Sequence, residues 1–283
     1  MGSNPAAPTT DSVNVPTGTS PPVGFSLWQS LNEGEERIEL TKDISAMTLA
    51  LIAAGEGARL RSEGVTVPKG LVPVLGVPLA KRTIATFVQH GITEVKCIVN
   101  EESPELELYL RETDFGVPVE IIVKSTRSSM HSLFTLAPLL KSSPFFLATV
   151  DAIYHPSDLK SWIDRCHQSE NAEGIIALTR FVDDEKPLYA TLESDDRISA
   201  IGDSAAGSEW ITGGLYWFTP NVFDEIPVVE ELGLERLRKF QEWLVERGYR
   251  LYGHRFGKIV DVDHRADIAT AEEFINQWSG VAK

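Results

Sequence analysis

The run Met47-Thr-Leu-Ala-Leu-Ile52 passes without a charge into Ala53-Ala-Gly-Glu-Gly-Ala-Arg59. A continuous apolar segment that stops at glycine predicts a strand buried on both faces, the centre of a parallel sheet. Its ending also constrains chemistry. Gly55 and Gly57 carry no Cβ to hold the backbone away from a polyphosphate, so main-chain N–H groups there can face phosphate oxygens. Arg59 adds a forked, permanently charged donor, and Lys69, ten positions on in Pro68-Lys69, adds a mobile point charge. Pro73-Val-Leu-Gly-Val-Pro78 follows in order. Glycine turns after strands are common, but the ordered set describes a triphosphate cradle.

Downstream, helix and strand patterns alternate. Helices are expected over Ala80–His90, Pro104–Glu112, Ser132–Leu140 and Ser157–His167. Strands are expected over Glu94–Asn100, Val117–Val123, Phe145–Val150 and Gly174–Thr179. This order predicts an α/β fold: a three-layer α/β/α, Rossmann-like domain on a mostly parallel mixed sheet, spanning about residues 45–280. Ligands of such sheets bind at the carboxyl ends of strands near a topological switch. Gly55 and Asp151 both fall at such ends.

From about Ala46 to Trp278 the chain resembles the sugar-1-phosphate nucleotidyltransferases. Their signature begins Leu-Ala-Ala-Gly-x-Gly-x-Arg and continues to a Pro-Lys pair at the spacing found here. Molybdenum-cofactor guanylyltransferases and methylerythritol cytidylyltransferases usually place their lysine closer. The spacing favours sugar- or polyol-phosphate acceptors and keeps phosphocholine cytidylyltransferases in view. Ala58 stands for a usual threonine or serine, and Val77 for a usual lysine. The resemblance implies transfer of a nucleoside monophosphate from a nucleoside triphosphate to a phosphorylated small molecule, releasing pyrophosphate, with Mg2+ as cofactor. A cytidylyltransferase for phosphocholine or inositol phosphate is the alternative within the fold. A non-catalytic regulatory module would have lost Arg59, Lys69 or the acids, and a glycosyltransferase usually carries Asp-x-Asp where this chain has Asp151-Ala-Ile.

The resemblance also distributes roles. Ala53, Ala54, Gly55, Gly57 and Arg59 are assigned to the nucleotide, Arg59 with the leaving pyrophosphate. Lys69 goes to the α-phosphate and the attacking phosphate. Asp151, which ends the apolar run Phe145–Val150, is the first metal ligand, although a helix cap or solvated strand end is the ordinary reading of such an acid. In Asp261-Val-Asp263-His-Arg-Ala-Asp267, Asp261 is preferred over Asp263 as the second ligand. Asp267 reads as a helix cap or a complement to the helix dipole, and His264 and Arg265 as surface residues. Ser128 and Ser129 stand at a helix entrance as caps or base contacts. His131 is not needed as a base, since a phosphate nucleophile is already ionised. Tyr189-Ala-Thr-Leu with Arg197-Ile-Ser-Ala-Ile resembles the family's acceptor-side hairpin, and Trp210–Phe218 its acceptor-lining strand. There Gly213 and Gly214 permit close approach of a ring or form a plain bulge. The usual Glu-Lys-Pro is replaced by Gly202-Asp203-Ser204, leaving Lys186 or Lys258 to meet the acceptor phosphate.

Charge and composition narrow the partners. A formal net charge of −15 opposes nucleic acid, and no apolar run approaches the ~20 residues needed to cross a bilayer. Cys97 and Cys166 read as packed free thiols of a cytoplasmic protein. Residues 1–44 are expected to form a disordered or loosely docked tail, with Phe25, Leu27, Trp28 and Leu31 either in a short docked helix or in the tail. The ending soon after the last helix predicts no β-helix or acyltransferase extension.

Overall fold

A computed structural model describes residues 47–181 and 186–279. The expected tail and its Trp28 segment lie outside them.

The elements run β1 (Thr48–Ala53), α1 (Ala58–Ser62), a 3-10 turn (Lys69–Leu71), β2 (Pro73–Val74), β3 (Val77–Pro78), α2 (Leu79–Gln89), β4 (Glu94–Val99), α3 (Pro104–Glu112) and β5 (Val119–Val123). Next come α4 (Ser129–Leu140), β6 (Phe145–Thr149), β7 (Ala152–Tyr154), α5 (Pro156–Gln168), β8 (Gly174–Thr179), β9 (Tyr189–Leu192), β10 (Ile198–Ile201) and β11 (Trp210–Phe218). The chain closes with α6 (Ile226–Glu231), α7 (Leu237–Glu246), β12 (Leu251–Arg255), β13 (Ile259–Asp261) and α8 (Arg265–Ser279).

β1 pairs in parallel with β4 on one side and β6 on the other, and β4 pairs in parallel with β5. The chain therefore leaves β1 in one direction and returns on its other flank, which makes a switch point beside β1. Beyond β6 the sheet turns antiparallel, because β11 inserts between β6 and β8, and the β9–β10 hairpin joins β11. β12 restores a parallel pair with β8. β13 pairs with β7 in a separate two-stranded ribbon that registers Asp261 opposite Ala152.

Strand alternation divides β1 between two cores. Leu49, Leu51 and Ala53 face a cluster with Ile84 and Phe87 of α2, Leu106 of α3, Trp162 of α5 and Ile275 of α8. Ala50 and Ile52 face the other, with Met130 and Leu133 of α4 and Phe240 of α7. Helices thus cover both faces, as the α/β/α expectation requires, and β1 is buried along its whole length.

α4 begins at Ser129, three residues before the expected Ser132. Thr126 and Ser128 already anchor that turn: the Thr126 and Ser132 hydroxyls bond at 2.6 Å, and Ser132 N donates to Ser128 O at 3.0 Å. The region of α6, α7 and β12 shows no glycine-punctuated strand–helix pattern as distinct as that of the first half, and the sequence reading assigned it no elements.

Candidate active site

The turn after β1 is shaped by two glycines that do different work. Gly57 adopts φ 60° and ψ 37°, a left-handed conformation that glycine holds without strain, and a Cβ there would stand 3.2 Å from Lys69 Cβ. Gly57 therefore lets the lysine stem lie against the loop. At Gly55 nothing lies within 4 Å of the Cβ position, so this part of the backbone faces open space. Asn100, buried at the end of β4, fixes the strand exit by donating from Nδ2 to Ala54 O at 3.2 Å. Its Oδ1 accepts from Glu102 N and Ser125 Oγ, each at 2.9 Å.

Lys69 lies at the start of the 3-10 turn, and its Nζ donates to both Asp151 Oδ2 and Asp263 Oδ1. Arg59 Nη1 donates to the other oxygen of Asp263 at 2.9 Å. Residues 82 and 194 positions from the lysine thus meet at one nitrogen. The fold makes this possible because β6 delivers Asp151 beside β1, while Val262 N donates to Asp151 O at 3.1 Å and carries Asp263 alongside. Burial alone would push the Lys69 ammonium down, but Asp151 and Asp263 outweigh it and hold it above its ordinary range. Burial likewise opposes ionisation of Asp151. The Lys69 charge and hydrogen bond, with Thr149, prevail and keep its carboxyl below the usual range.

Asp261 is the last residue of β13, opposite Ala152. It lines a neighbouring cavity with Thr179, Thr212, Gly213 and Ile259. The geometry therefore brings Asp263 to the Lys69–Asp151 pair, while Asp261 lines the neighbouring cavity. Among the described residues no three His, Cys, Asp or Glu side chains form a ready-made metal cluster. The convergent donors are the two carboxylates of Asp151 and Asp263.

A second layer of carboxylates holds this region, and the sequence reading missed half of it. Glu63 Oε1 pairs with His264 Nδ1 at 2.7 Å, and Glu63 Oε2 accepts from Arg265 N at 2.6 Å. His264 and Arg265 are thereby ties between the end of α1 and the Asp263 segment, beyond their surface position. Glu63 sits below its usual range because of the His264 bond, and His264 above its own because of Glu63. Asp267 is the third residue of α8, and its Oδ2 accepts from Asp263 N at 2.9 Å and His264 N at 2.6 Å. That is the reach-back half of a capping box.

Ser128 occupies the N-cap position of α4 but makes no side-chain cap. Its hydroxyl meets His131 Nδ1 at 2.9 Å, while Arg127 Nη2 donates to His131 Nε2 at 3.0 Å. Burial, then Arg127, pushes the imidazole pKa down. Tyr189 opens β9 opposite Ile211. At Gly213–Gly214 the β11 register against β8 shifts, so the bulge is present. It also serves packing. A Cβ on Gly213 would fall on Ile259 Cδ1, and one on Gly214 (φ 73°) would stand 2.6 Å from Thr149 Oγ1. Lys258 Nζ lies 4.0 Å from the ring centroid of Phe181, which lines the same cavity as Gly213 and Asp261.

Residues 49–277 match the profile of the nucleotidyl transferase family. Mannose-1-phosphate guanylyltransferase of Mycobacterium tuberculosis is 23% identical over 229 residues, covering 80% of this chain and 62% of that protein. UTP–glucose-1-phosphate uridylyltransferase of Synechocystis is 26% identical over 205 residues, covering 66% and 53%. The chain thus spans between a half and two thirds of the length of these relatives. Among solved structures, the inositol-1-phosphate CTP transferase from T. maritima superposes with a TM-score of 0.69 at 24% identity, covering 84% of this chain and 99% of that one. A putative glucose-1-phosphate thymidylyltransferase from Bacillus anthracis gives 0.71 at 19%, covering 81% and 95%.

Proposed function

Because this chain belongs to the nucleotidyl transferase family, we propose that it transfers a nucleoside monophosphate from a nucleoside triphosphate to the phosphate of a sugar, polyol or amino alcohol. Pyrophosphate is the other product. The observation that carries this reading is the convergence of Lys69, Asp151, Asp263 and Arg59 beside the open backbone of Gly55.

The reaction joins two anions, so the chain's task is positioning and charge neutralisation. The Gly55–Gly57 backbone faces the polyphosphate, and Arg59, with a side chain 45% exposed, can swing from Asp263 to the departing β- and γ-phosphates. Lys69 stands where the α-phosphate and the incoming phosphate meet. In the unliganded site Asp151 and Asp263 hold its ammonium protonated, and the phosphate anions it turns to would take over that part as it leaves the carboxylates. The acceptor phosphate needs no general base, because it is already ionised. On this reading Tyr189, Gly213 and Gly214 would meet the acceptor, with Lys186 or Lys258 for its phosphate.

Two carboxylates on one point, next to a site for phosphate oxygens, fit Mg2+, which binds few protein carboxylates and completes its shell with substrate phosphates and water. Asp151 and Asp263 would hold it, with Asp261 two residues away on the same segment, and it would supply positive charge to the phosphate oxygens. The test is pyrophosphate release screened over the four nucleoside triphosphates against sugar, inositol and choline phosphates. Turnover with one pair supports the reading; no release with any pair, from folded protein, overturns it.

A further inference from the structure

Between α2, β7, the start of α5 and α8 lies a cavity with room of about 30 Å³. A single water needs roughly 10–15 Å³. Three side chains on its wall carry a buried polar atom with no partner among the described residues: Arg82 Nε, Tyr154 OH and Trp278 Nε1. All three are donors, and the Arg and Trp nitrogens can only donate. The wall hydroxyls of Thr83 and Thr86 already donate to Leu79 O and Arg82 O at 3.1 and 2.8 Å.

The charge of Arg82 has no carboxylate in direct contact among the described residues. Arg82 is part-buried, and its Nη2 donates to Val74 O at 2.6 Å. It stands in no ion pair within 4.0 Å among the described residues. Glu272 acts on it electrostatically without an ion pair within 4.0 Å, and its Oε1 accepts from Leu75 N at 2.9 Å. A part-buried cation beside two further donors, with its nearest carboxylate out of contact, is costly to leave without an acceptor, and a neutral water supplies hydrogen bonds but no charge.

We propose that this cavity is a site for a compact monovalent anion, a halide or a small carboxylate, held jointly by Arg82, Tyr154 and Trp278. The site is independent of the nucleotidyl-transfer reading. It bears on the same machinery, because Tyr154 ends β7, the strand that leaves Asp151 and pairs with β13. A bound anion would clamp α2 and α8 to that strand.

The test is thermal unfolding of the whole chain in gluconate, an anion too large for the cavity, replaced stepwise at constant ionic strength by chloride, bromide, formate or acetate. The melting temperature should rise saturably in the wild type. Tyr154→Phe and Trp278→Phe should each weaken the response about tenfold, the scale of one hydrogen bond to a charged partner. A response to halides alone or carboxylates alone supports the site and fixes its size. A melting temperature indifferent to the anion, or two variants that follow the wild-type curve, overturns it. If Tyr154→Phe does not fold, Trp278→Phe and bromide-soaked crystals decide. Anomalous density bonded to the three donors supports the proposal, and water alone in the cavity refutes it.

Discussion

Replacing Lys69 with methionine keeps most of the stem that packs on Gly57 and deletes only the charge. Asp151, with its side chain 18% exposed, would lose the cation that keeps it ionised, whereas Asp263, 37% exposed, would keep Arg59. Breaking one side of a buried pair costs about 3–5 kcal/mol. The exposure of Asp263 and its remaining partner place this case near the low end, about 3 kcal/mol. For a domain of this size that is a melting-temperature loss of about 6–12 °C at pH 8. The pH dependence has a definite sign. In the wild type the depressed pKa of Asp151 contributes stability at neutral pH that is lost as pH falls through the folded value. In the variant, burial without the cation raises that pKa, so protonation relieves the strain as pH falls. The gap between the two proteins should therefore narrow from pH 8 to pH 5. Magnesium, offered the same two oxygens, should recover part of the loss at pH 8, and chelator should abolish the recovery. Thermal unfolding by circular dichroism at both pH values reads all of this. A gap that is absent, or equal at pH 5 and pH 8, would refute the reasoning.

Three further outcomes follow from the same geometry. Gly213→Ala should destabilise by about 1–3 kcal/mol through overpacking, and by less in an Ile259→Val background, since Ile259 Cδ1 is the atom displaced; a double-mutant cycle in urea with no coupling would contradict the contact. Asp263→Asn should lower turnover at least tenfold more than Asp261→Asn, because Asp263 shares Lys69 with Asp151; the reverse order, in steady-state assays, would return the second metal ligand to Asp261. Arg59→Ala should weaken use of the triphosphate with acceptor KM almost unchanged, and Lys69→Ala should depress kcat and kcat/KM for both substrates; a Lys69→Ala effect confined to acceptor KM would remove it from the transition state.

Local signals account for what the sequence reveals and what it hides. β1 was legible because a strand buried on both faces must be continuously apolar, and the loop after it because the left-handed turn at Gly57 favours glycine. Gly174–Thr179 and Pro104–Glu112 coincide with their elements, being bounded by glycine and by Ser103-Pro104. The convergence of Lys69 with Asp151 and Asp263 depends on sheet order, and one-dimensional spacing cannot distinguish Asp263 from Asp261, two residues apart on the same segment. Glu63 was missed because its partners, His264 and Arg265, are some 200 residues away and a single glutamate near a helix end looks like solvated surface. Asn100 did carry a signal, a polar residue ending an apolar strand. The packing role of Gly213 and Gly214 was open in the sequence, where a bulge and a ligand approach demand the same residue.

The central claim is that Asp151, with Lys69 and a divalent ion, organises nucleotidyl transfer at the end of β6. Pyrophosphate release, measured with the best triphosphate–acceptor pair in Mg2+ and in chelator, for wild type and Asp151→Ala, tests it most directly. Release should require the ion, and Asp151→Ala should lose about 10²-fold or more in turnover, the scale of removing one preorganised electrostatic contact. Release unchanged in chelator, or an Asp151→Ala enzyme turning over near the wild-type rate, would contradict it.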